Sequence, residues 1–169
     1  MTILKCDIPS VSVLDRGLIE AAYFQDSYRA PLRHVEMSVV AVFHAIFAHH
    51  PLWMKLLLIV RNRIASWCGL AAPSAAAILH PQVNGECAVG DTIGVWPVYS
   101  LTDNELVAGR DNKHLDFRLS VLKSPSSVTV STICIVHNRF GKVYLFFIVP
   151  FHRWGVQRLI ADAVKAGRL

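Results

Sequence analysis

The chain predicts an α+β fold: a curved antiparallel sheet wrapped around a long C-terminal helix, with two helices inserted after the first strand. Three observations carry that expectation. Between residues 92 and 136 the apolar pattern repeats every second residue, in short runs separated by turn residues. From 141 to 168 it repeats at helical spacing. Between these and the first strand-like run lies an apolar stretch, 39–68, of helical length.

Residues 1–20 are expected to be irregular, with Pro9 and an Asp15-Arg16-Gly17 turn signal. "AAYFQDSYRAP" reads as a strand that Pro31 ends. Ser38 suits the N-cap of a first helix over 39–49. Pro51 suits the first turn of a second helix over 52–68, where its missing N–H costs nothing, and Gly69 suits its end. Trp53, Leu56, Leu57, Val60, Ile64 and Trp67 recur at helical spacing and are expected to face the core, with Arg61 and Arg63 reaching solvent. Residues 71–89, with Pro73, Pro81 and Gly85, form a connector.

Four more strands follow: "TIGVWPVYS", where Pro97 argues for an edge or a bulge, then "ELVAGR", "KHLDFRLSVL" and "SVTVSTICIV". The intervening turns need an antiparallel meander and nothing longer. In the last helix Tyr144, Phe147, Ile148, Phe151, Trp154, Leu159, Ala163 and Val164 make a broad apolar face, with Arg153, Gln157, Arg158, Asp162 and Lys165 largely outside it. Such a helix runs about 40 Å at about 1.5 Å per residue. Pro150 inside it costs about 3 kcal/mol and predicts a bend over 146–151.

The 169 residues suit a single domain, and 53% hydrophobic against 17% charged residues is too apolar for disorder. Two windows, 35–60 and 143–151, raise the question of a membrane. A spanning helix needs about 20 apolar residues, so the second window is too short. The first is broken by His44, His49-His50-Pro51 and Lys55, and a central Lys costs roughly 2.5–3.5 kcal/mol. Both read as buried helices and not as transmembrane segments, with contact at a lipid surface as the lesser alternative. The opening residues show no signal-peptide pattern. Cys6, Cys68, Cys87 and Cys134 form no CxxC pair and no zinc spacing, so reduced thiols and a cytoplasmic location are expected. The net charge of +5 lacks the basic-aromatic interleaving of a nucleic-acid surface, so no nucleic-acid partner is expected. Hydrolase, metalloprotease, phosphate-loop and dinucleotide motifs are missing, and His44, His49 and His50 do not share a helical face. No cofactor and no metal is expected.

"FQDSYR", "PLWMKLLLIVRNRIASWCGL", "GDTIGVWPV", "GRDNKHLDFRLSV" and "VSTICIVHNRFGKVYLFFIVPFHR" resemble the bacterial domain-of-unknown-function family 2867. The similarity covers almost the whole chain. The order of elements resembles the helix-grip fold of the START, polyketide-cyclase and birch-pollen-allergen (SRPBCC) superfamily. The superfamily resemblance implies an internal cavity for an apolar or amphipathic small molecule; the family resemblance implies no reaction. The superfamily usually has more strands than the five read here, which leaves room for a further strand in 77–89.

Tyr28, Trp96, Phe117, Phe147 and Phe151 are the expected apolar walls of such a cavity. The polar candidates each carry two readings. His114, Asp116 and Arg118 share one face of a strand: either a ligand-orienting group, or a solvent face paired across to Thr129 or Ser131. His137 and Asn138 sit at the pocket mouth or simply end the strand in a turn. His152 and Arg153 either hold a polar head group or satisfy the backbone at the Pro150 bend. Asp26, a carboxylate in a half-buried strand, needs a partner, for which Arg153 or Arg118 is proposed. The reading that follows is a binding module for a hydrophobic or lipid-like small molecule. The alternatives are a small cyclase, dehydratase or isomerase using a cavity His and carboxylate, and a protein-interaction domain.

Overall fold

The computed structural model describes residues 3–67 and 87–169. Its elements are β1 (Leu4–Lys5), α1 (Arg16–Glu20), β2 (Phe24–Pro31), α2 (Val39–Phe47), α3 (Leu52–Trp67), β3 (Thr92–Ile93), β4 (Trp96–Leu101), β5 (Glu105–Asp111), β6 (Leu115–Ser124), β7 (Ser127–Val136) and α4 (Arg139–Lys165). The seven strands form one antiparallel sheet in the order β1-β2-β7-β6-β5-β4-β3, and it does not close. This is the helix-grip arrangement expected from the sequence.

The meander follows from its turns. Pro125 and Ser126 join β6 to β7, whose pairing runs from Leu115↔Val136 to Ser124↔Ser127. Pro97 gives β4 no N–H to donate, and of the two expected outcomes, an edge or a bulge, the register shift between Val98 and Ser100 is the bulge. One short strand, β1, lies beyond the expected five, and the run 92–100, expected as one strand, is broken by a turn at Gly94 (φ 60°) into β3 and β4. β1 pairs with β2 through Leu4↔Arg29 and Lys5↔Tyr28, and β3 pairs with β4. The first 20 residues are therefore not merely irregular: they hold β1 and also α1, which Asp15 caps by accepting from the Leu18 N–H. The strand sought in 77–89 falls mostly outside the described residues.

Cross-strand partners share a face, so the register defines the inner face in three rungs. These are Arg110–Phe117–Cys134–Phe24, Ala108–Leu119–Thr132–Asp26 and Leu106–Val121–Val130–Tyr28. Helix α2, buried nearly all round, packs here, as does the C-terminal half of α4 through Val156, Leu159, Ile160 and Ala163. The opposite face is covered by the N-terminal segment, which packs Leu14 on Val107 and Ile133. Glu105 staples that segment down: its buried carboxylate accepts from Ser12 Oγ at 2.5 Å and the Val13 N–H at 2.6 Å, and also from Ser120 Oγ.

Two expected core faces are corrected. In α3, Trp53, Leu56 and Val60 are exposed, and Met54 and Asn62 are buried in their place; the side chains of Leu57, Ile64 and Trp67 lie outside the described residues. In α4, Phe147, Phe151 and Trp154 are exposed, while Leu145, Val156 and Ile160 are buried. Both helices are apolar on more than one side, and spacing alone cannot say which side meets the sheet. Helix α4 continues through Pro150.

The N-terminus of α4 approaches β6 closely. Asn138 caps it, accepting from the Gly141 N–H at 3.1 Å, and a Cβ at Gly141 would stand 2.4 Å from the His114 carbonyl oxygen. Neither backbone can yield cheaply. Gly141→Ala is expected to destabilise the fold by about 1–3 kcal/mol, measured by urea unfolding.

Candidate functional site

Between the inner face and helices α2, α3 and α4 lies a pocket of about 340 Å³. The sheet supplies Phe24, Phe117, Leu119 and Cys134; α2 supplies Phe43 and Phe47; α4 supplies Tyr144, Leu145, Ile148 and His152. Trp96 fixes one wall. Its indole stands 6.0 Å from the Phe117 ring and 6.2 Å from those of Phe43 and Phe47, the latter two edge-on. At the rim Trp53 and Trp154 lie 4.6 Å apart, joining α3 to α4.

A polar contact helps to pin α4 over this volume. Asp26, buried on β2, has its Oδ1 3.3 Å from Nε2 of His152, and its Oδ2 accepts from the Tyr28 hydroxyl at 3.2 Å. Phe24 meets the His152 ring edge-on at 5.6 Å, and the Arg153 guanidinium lies 5.3 Å over Phe24. Burial, then the Asp26 charge, pushes the Tyr28 phenol above its ordinary range, so it stays a donor. Burial pushes the Cys134 thiol up to about 12, with Asp26 adding to it, so this pocket cysteine stays protonated and is no nucleophile.

Of the residues singled out from sequence, Trp96, Phe117, Phe151 and His152 line the pocket. Asp26 and Tyr28 lie behind His152 and share its contact. The partner of Asp26 is His152, and not Arg118, which sits on the opposite face of the sheet. Arg153 is exposed beside them, and Phe147 points to solvent, outside this pocket.

The remaining five lie outside the pocket. Asp116 stands across from Ile135 and Arg118 from Ile133, not from Thr129 or Ser131. Asp116 Oδ2 is 3.0 Å from His137 Nε2, both partly exposed. Arg118 forks onto Asp111 and lies 3.7 Å over the Tyr99 ring. Those hydrogen bonds hold the Asp111 carboxyl below its usual range. Asn138 caps α4 and donates to the Lys113 carbonyl at 3.0 Å, and His114 lies against Phe140 with 4.6 Å between ring centroids.

The pocket also uses residues that the sequence reading passed over. Arg110 lines it, donating to the Val95 carbonyl at 2.8 Å. Its signal was present: it continues the inward phase of Leu106 and Ala108 along β5. His50 also lines the pocket. Burial, then the nearby Lys55 and His49, lowers its pKa to about 4.

A family model described as "Protein of unknown function (DUF2867)" matches residues 18–159. No curated protein and no solved structure matches the chain.

The His50 shift has a signed consequence. An unfolded His binds its proton near pH 6.5, whereas the folded one refuses it until about pH 4. His50 therefore stabilises the fold fully above pH 6.5, and that contribution is lost as pH falls toward 4. His50→Gln is expected to flatten this part of the urea-midpoint profile between pH 7 and 4.5.

Proposed function

The chain belongs to the domain-of-unknown-function family 2867, and we propose that it is a binding module for one apolar or amphipathic small molecule. The single observation that supports this reading is the ring-lined pocket of about 340 Å³ between the sheet and α4. Small-molecule sites run from about 300 Å³ upward and combine apolar walls with a few convergent polar groups. Here Arg110, Asn112 and His152 would orient an oxygen-bearing end of the ligand. The helix-grip plan supports placing the chain, as one domain, in the START-like superfamily. The unbridged Cys6, Cys87 and Cys134 suit a reducing cytoplasm.

The His152–Asp26 contact favours a second reading. An imidazole on a pocket wall with a buried carboxylate behind it is placed as a general base for cyclisation, dehydration or isomerisation. The two readings separate on His152→Gln: a binder holds its ligand more weakly and has no turnover to lose, whereas an enzyme loses turnover by far more than it loses affinity.

Gly155 supplies the direct test. It lines the pocket, and a Cβ there meets only Met54 Cε, at 3.8 Å. Gly155→Ala is expected to raise stability by up to about 1 kcal/mol, since a helical glycine is costly. Gly155→Leu grows further into the pocket. The amphiphilic dye 8-anilinonaphthalene-1-sulfonate is expected to bind saturably, with energy transfer from the pocket tryptophans Trp53, Trp96 and Trp154, and to bind about tenfold more weakly or worse to Gly155→Leu. Equal affinity in both proteins would rule the pocket out as the dye's site.

A further inference from the structure

We propose that the face formed by α3 and the N-terminal half of α4 docks on an anionic membrane surface. Helix α4 carries two apolar stripes. Leu145, Val156, Leu159, Ile160 and Ala163 turn inward. Val143, Phe146, Phe147, Pro150 and Trp154, spaced i, i+3, i+4, i+7 and i+11, turn to solvent, with Phe146 76% and Phe147 62% exposed. In α3, Leu52, Leu56 and Val60, spaced i, i+4 and i+8, are exposed as well. The Trp53–Trp154 stack at 4.6 Å joins the two stripes. Single exposed apolar residues are ordinary, but a continuous face of them marks an interaction surface.

Charge identifies what covers it. Neither α3 nor α4 before Asp162 contains an Asp or Glu, while Lys55, Arg61, Arg63, Arg139, Lys142, Arg153 and Arg158 all fall there. Arg63, Arg139, Lys142 and Arg153 are exposed, with Lys142 5.5 Å over the Tyr23 ring. A second copy would bring like charges together. A protein partner expects about one hydrogen bond per 100–200 Å², and among the described residues the apolar stripe itself offers only indole N–H groups. Phe and Trp flanked by Lys and Arg are what a helix lying in a headgroup layer presents. Because Trp53 and Trp154 also rim the pocket, docking would open it toward the headgroups and make a bilayer amphiphile its ligand class. That last step rests on the pocket reading; the docking does not.

Vesicle flotation tests it. The protein is expected to float with vesicles of phosphatidylcholine containing about one-third phosphatidylglycerol, and less as salt rises. Phe147→Glu and Lys142→Glu are each expected to weaken this about tenfold or more with unchanged urea midpoints. Gly155→Leu is expected to float like the parent, so a failed pocket and a failed docking face are told apart. Docking is overturned by no flotation on either vesicle, by equal salt-independent binding to pure phosphatidylcholine, or by Phe147→Glu floating like the parent. A dimer in sedimentation that Phe147→Glu dissolves would overturn it in favour of a second copy.

Discussion

The site depends on how a carboxylate buried in β2 is satisfied. Asp26 stands on the inner face of the sheet among Leu119, Thr132 and Tyr28. Stranded there without a partner it would cost several kcal/mol. Tyr28 answers one oxygen from the same strand, and His152 approaches the other from the middle of α4. Magnitudes separate two roles. The aliphatic residues α4 buries contribute roughly 1.5–3 kcal/mol each, so apolar burial decides that α4 docks. The Asp26 contact decides in which rotation it docks, because turning the helix by one residue would replace His152 with Phe151 or Arg153.

That rotation determines what both ends of α4 can do. Beyond Gly155 the helix packs tightly through Val156, Leu159, Ile160 and Ala163. Before it, Tyr144, Ile148 and His152 line an unfilled volume together with Phe24 and Phe117. With those residues turned inward, Phe146, Phe147 and Trp154 have nowhere to go but outward. One rotational setting thus creates the pocket and the exposed aromatic stripe together, and the Trp53–Trp154 stack sits where they meet.

The fold was legible because local patterns agreed with it. The alternation through Leu115, Phe117 and Leu119, the turn at Pro125 and the cap at Ser38 each had one physical solution, and Pro97 narrowed β4 to an edge or a bulge. The edge strand β1 was not legible, because two residues carry no period and it pairs only along the edge that β2 offers; nor was the Gly94 turn that splits the run 92–100 into β3 and β4. The site was half legible. Asp26 stood out as a costly carboxylate in a strand, and His152 as a polar break in an apolar helix, but their partnership depends on a register that sequence does not show. The opposite error struck α3 and α4. A helix that is apolar on several sides gives spacing arguments no way to choose the inner one, so Trp53, Leu56, Val60 and Phe147 were assigned to a core that excludes them. Asp116 and Arg118 lie on the outer face across from Ile135 and Ile133, and Asn138 caps α4, all outside the pocket.

Asp26 and His152 hold each other across the sheet–helix junction. A double-mutant cycle of Asp26→Ala and His152→Ala, read by urea unfolding, measures that directly. A coupling of about 1–3 kcal/mol is predicted. Additive losses, with a coupling indistinguishable from zero, would mean that α4 takes its place by apolar burial alone, and the contact could not be what sets the pocket.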